Sequence, residues 1–231
     1  MKSVSPSQSQ SPQYPAWLTA AVIGIAAPTV TIVVVAGGPS PETINAVGAP
    51  ILALGLMGVG MIAAATVGHL WVGVVLGLVN AACLIFLARA LGLPPVLHPL
   101  SAVFAFLIAS ISFAARGALF ARSALDRGWL IALFVVAGEA AILITAFAIP
   151  GALPDWLLVL LPAQWASVAI QSSISGAGTL AALPVLLALA CTAAATLLVA
   201  QLWPRRWPYM MMFTTWLSMS AVVWYSQSPP T

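Results

Sequence analysis

Of the four acidic side chains in this chain, only Glu139 lies deep inside an apolar run, GWLIALFVVAGEAAILITAFAI at 128–149. A helix there sets Glu139 about 16 Å from its first residue, near the middle of a bilayer. Charging a carboxylate at that depth costs about 3 kcal/mol on insertion scales, so the acid is expected to be neutral and to face protein or a wet cavity. Two kinds of chemistry follow. A protonatable acid inside a membrane can couple proton or cation movement, and the plainer alternative is a protonated acid that ties helices together through a hydrogen bond. Asn80, at a similar depth in another apolar run, can both donate and accept, and is the expected partner of Glu139. Ser110 and Ser112 lie nearer the cytoplasmic end of their run. Arg116 and Arg127 are expected nearer still to that surface, snorkelling into headgroups.

Other reactive residues do not assemble into a site. His69 and His98, the two imidazoles, fall at opposite membrane faces, which disfavours bis-histidine haem ligation and leaves a single axial ligand to a haem or pigment as the remaining cofactor chemistry. No spacing gathers the three or four ligands that a catalytic or structural metal needs. Cys83 and Cys191 lie within apolar runs and read as small hydrophobes rather than as a disulfide pair. The Ser172–Gly178 stretch lacks a GxSxG elbow and a companion histidine and acid, so it reads as a turn. No lysine completes a phosphate-binding GxxxxGK[ST] loop. The residues therefore do not argue for an enzyme, and no cofactor is assigned.

The elements that must position Glu139 are membrane spans. Charged residues make up 5% of the chain and hydrophobic ones 62%, with a mean hydropathy of +1.11. A soluble domain carries about a quarter charged residues. The expected fold is all-α: a polytopic transmembrane helix bundle forming one domain over 16–225, between a Ser/Gln/Pro-rich disordered tail at 1–15 and a short tail at 226–231. Spans are predicted at 16–36, with a kink at Pro28, then two within 47–91 turning near 66–69. Further spans are predicted at 99–115, 128–149, 179–203 and 208–225. The stretch 153–178 is apolar but interrupted by Pro162, Gln164, Gln171 and serines. It fits an interfacial or re-entrant segment, giving seven spans, or else an eighth span.

Arginines choose between these. Seven spans put Lys2, the Arg116–Arg127 region and Arg205–Arg206 on one side, the cytoplasmic one, with the N-terminus; eight spans do not. A bacterial inner membrane suits this composition. Trp17, Trp71, Trp129, Trp156, Trp203, Trp207 and Tyr209 fall near span ends, as interfacial aromatics do.

Two glycine groups, Gly55 with Gly58 and the Gly73–Gly77 GxxxG, let backbones approach closely, either between the second and third helices or against a partner. Arg116, Arg122, Asp126 and Arg127 can meet anionic lipid or a cytoplasmic partner. The net charge of +3 is too small and dispersed for nucleic acid. The favoured reading is a non-catalytic subunit of a larger membrane assembly, in contact with lipids and with other subunits or its own copies. The alternative is a small proton- or ion-coupled transporter or channel that uses Glu139.

Overall fold

The computed structural model describes residues 14–37, 41–91, 96–149, 151–205 and 207–227, with only the backbone of 41–46. Residues 1–13, 38–40, 92–95, Pro150, Arg206 and the last four residues lie outside them. Every element among the described residues is helical. Five stretches are long and apolar enough to cross a membrane: Tyr14–Ala36, Val47–Val67, Leu70–Ala90, Pro99–Ala148 and Gly178–Gln201. This is a helical membrane protein.

We number the helices α1 (Tyr14–Ala36), α2 (Pro41–Val67), α3 (Leu70–Ala90), α4 (Pro99–Ala124), α5 (Gly128–Ala148), α6 (Asp155–Val159), α7 (Pro162–Ile174), α8 (Gly178–Gln201) and α9 (Trp207–Gln227). The 50-residue stretch from Pro99 is thus two helices, separated by one 3-10 turn at Leu125–Arg127. Gly128 makes that tight corner possible, because a Cβ there would stand 2.6 Å from the Phe120 carbonyl oxygen.

The long helices run alternately up and down. Pro15, Ala16, Gly68, Ala121, Asp126 and Trp129 share one cavity, so the start of α1, the α2–α3 corner and the α4–α5 corner lie together. Arg122 donates to the Ala200 carbonyl and brings the end of α8 to the same place. At the opposite end His98 Nε2 bonds the Gly176 carbonyl at 3.0 Å, and Ser101 bonds Thr179.

The core is centred on α2, whose Ala49, Leu56, Met57, Met61 and Ile62 are fully buried. Large apolar side chains such as Phe86, Phe134, Leu180 and Met210 point outward, as a surface facing lipid requires.

One helix end differs from the sequence reading, and two stretches gain detail. α4 runs to Ala124, not Ala115, because residues 116–124 contain no proline or turn signal and Arg116 can stay helical with its head inside the protein. At the expected kink, a π-helical turn occupies Val22–Ala26, one turn before Pro28, and the Ala27 N–H reaches the Val22 carbonyl. The stretch 153–178 is two short helices, and α7 is buried, with Ala163, Trp165, Ala166 and Ala169 fully enclosed.

Candidate functional site

The break between α6 and α7 is the place where backbone polar groups most need help. Pro162 has no N–H and holds Leu161 extended (φ −90°, ψ 118°), so α6 cannot run into α7. The freed groups are met by side chains from three helices. Trp165 Nε1 donates to the Val159 carbonyl at 2.6 Å, and Trp216 Nε1 of α9 donates to the Leu160 carbonyl at 3.1 Å. The Ala163 N–H, an orphan of the first turn of α7, donates to Glu139 Oε2 at 2.8 Å. Glu139 therefore reaches across from α5 to cap a buried half-helix at its positive end. An irregular backbone inside a membrane survives only when buried and satisfied in this way.

Glu139 opens on its other side to a cavity of about 380 Å³, walled by Leu119, Phe120, Val135, Leu161, Met212 and Phe213 and carrying Arg116, Thr192 and Thr196. Arg116 projects from α4 into the same space. Its Nη2 donates to Thr192 Oγ1 at 3.3 Å, and its guanidinium lies 6.0 Å from the Phe113 ring centroid. Its Nη1 is sealed from solvent and has no hydrogen-bond partner among the described residues. Thr192 and Thr196 give their protons to the carbonyls of Ala188 and Thr192, both at 2.7 Å, so toward the cavity they can only accept. The site is a half-open apolar chamber, with Phe213 exposed at its rim, holding one cation, one acid and the start of a half-helix at its base.

The expected pairing of Asn80 with Glu139 does not form. Asn80 Nδ2 donates to the Gly24 carbonyl at 2.9 Å and the Gly55 carbonyl at 3.1 Å. The reason lies in α1: Pro28 has no N–H to give to the Gly24 carbonyl four residues earlier, and Asn80 supplies the missing donor. Arg116 is corrected too, since it faces Glu139's cavity rather than the headgroups.

The glycines pack inside the bundle. A Cβ on Gly73 would strike the Gly60 carbonyl oxygen and come within 2.7 Å of Ala64, and one on Gly58 would meet Gly24 Cα at 3.0 Å. Gly77 faces Leu56 and Ser110, and Gly55 faces Leu84 and Pro28. Arg122 is tied to α8, whereas Asp126 and Arg127 are exposed at the α4–α5 corner. His69 and His98 bond backbone carbonyls at opposite ends of the bundle. Ser172 and Ser173 bond carbonyls of their own helix, and the turn follows at Gly176 (φ +83°).

Trp165, Trp216, Thr192 and Thr196 escaped the sequence reading as site residues, and Arg116, expected as a lipid or partner contact, stands in this cavity instead. The signals were present: a proline inside LPAQW and a tryptophan in mid-helix at 216. No protein-family model, curated protein or solved structure significantly matches this chain.

Proposed function

We propose that this protein is a small proton-coupled transporter of the membrane, with Glu139 as its protonatable group. The observation that supports this best is the convergence of a re-entrant half-helix, Glu139 and Arg116 on one cavity. Transporters bind substrate where broken helices bring half-helix ends to mid-membrane. A purely structural acid has no need of a chamber beside it. Among the residues lining that chamber, Arg116 and Glu139 are the two charged ones, so a proton on Glu139 changes the balance that a solute meets.

In this reading seven helices cross the membrane, α6 and α7 dip in from one side and return to it, and the arginine-rich end, with the N-terminus, faces the cytoplasm of a bacterial inner membrane. The subunit reading has less support, because the glycine face that argued for a partner is used internally. No catalytic role is assigned.

The test is accumulation of labelled small organic anions and cations in proteoliposomes under an inward proton gradient. Wild type should accumulate at least one solute class above protein-free vesicles, and Glu139→Gln should lose the gradient dependence at normal abundance. Equal gradient-driven accumulation by both proteins would overturn the proposal.

A further inference from the structure

We infer that the chamber beside Glu139 binds an amphipathic monoanion, its charged head on Arg116 and its apolar body along Leu119, Phe120, Met212 and Phe213. The inference rests on the transport reading for what binding accomplishes, but binding itself is independent of it.

The argument starts from the unsatisfied donor. Arg116 Nη1 is buried without a partner, and a buried charged donor left unpaired is costly. The threonines cannot offer protons to an anion, because theirs go to helix carbonyls. Recognition of the head therefore falls to one guanidinium, which suits an anionic oxygen group. A single positive side chain facing a carboxyl favours one negative charge over two. An acyl chain or an apolar partner helix would fill the space and leave Nη1 unpaired.

Size and lining set the rest. An apolar cavity of roughly 150 Å³ takes up benzene, so about 380 Å³ admits a ring or a chain of moderate length. Glu139 supplies the link to protons. An ionised Glu139 repels the incoming anion and competes for Arg116, whereas a protonated one does neither. Its carbonyl oxygen still accepts the Ala163 N–H in the protonated form, so the half-helix stays capped. Anion and proton are thus taken up together.

The experiment is equilibrium binding of octanesulfonate to the full chain in lipid nanodiscs, followed by isothermal titration calorimetry. This probe stays ionised, so any pH dependence belongs to the protein. Saturable one-to-one binding should tighten on acidification and weaken about tenfold or more in Arg116→Gln. Arg116→Lys, which retains the charge, should keep part of the affinity and guards against a folding defect in the glutamine variant. Arg205→Gln, which does not alter the lining of the chamber, should bind as wild type does, and Glu139→Gln should bind with little pH dependence.

Competition by hexadecanoate would place the natural ligand among membrane lipids, and competition by hexanoate alone among soluble solutes; both support the site. Binding undiminished in a folded Arg116→Gln, equal binding of octylammonium, or no saturable binding would overturn it. Binding as described without solute-linked proton movement would leave the site standing and remove the transport reading.

Discussion

Glu139 and Asn80 are both intramembrane polar residues, and their surroundings give them different tasks. Asn80 gives two hydrogen bonds from one nitrogen, to the Gly24 and Gly55 carbonyls. Asn80→Leu removes both donated bonds and should destabilise the protein by about 1–3 kcal/mol, read as a lower thermal midpoint in nanodiscs. Glu139 accepts. Glu139→Gln keeps an acceptor for the Ala163 N–H and should stay near wild-type stability. Glu139→Leu orphans that N–H and should cost about 1–3 kcal/mol in the same assay. The need to satisfy Glu139 was legible in the sequence, because a lone acid in an apolar run must have a partner. Which partner was not, since a backbone N–H in a distant half-helix carries no residue-type signature.

At the scale of elements, close packing and the α6–α7 break carry the architecture. Gly73 stands against the Gly60 carbonyl and Ala64, while Gly138 has open space beyond its Cα. Gly73→Val should sharply reduce folded yield, whereas Gly138→Ala should be tolerated and should stabilise α5 by up to about 1 kcal/mol. Size-exclusion profiles and thermal midpoints of the two variants separate these outcomes. At the tip, Trp216→Phe keeps the ring but loses the bond to the Leu160 carbonyl. Faster hydrogen exchange around 160–165, with other helices unchanged, is the expected result.

Most helix limits were legible from apolar run length and from the corner at Gly68. The end of α4 was not. An arginine normally marks a span's edge, and only the cavity on the inner side of α4 allows Arg116 to remain inside. For 153–178, composition left several geometries open because prolines and glutamines break a crossing and a re-entrant loop alike; the structure folds it as two short helices with α7 buried.

At the scale of the whole molecule, the proposed arrangement of seven crossings with one re-entrant pair makes a topological prediction. Ala152→Cys and Ala177→Cys should react with an impermeant maleimide from one side, and Ser123→Cys from the other, in a background lacking Cys83 and Cys191. Labelling of 152 and 177 from opposite sides would require a full eighth crossing.

The central claim is that a proton and an organic anion cross together through the Glu139–Arg116 chamber. It is tested most directly in vesicles holding the protein, octanesulfonate and a pH-sensitive dye, diluted into anion-free buffer of equal pH. The anion has no proton of its own to carry. Wild type should let it leave with a proton and turn the lumen alkaline, and Glu139→Gln and protein-free vesicles should show no such change. An unchanged lumen with wild type, or equal alkalinisation with Glu139→Gln, would contradict the claim.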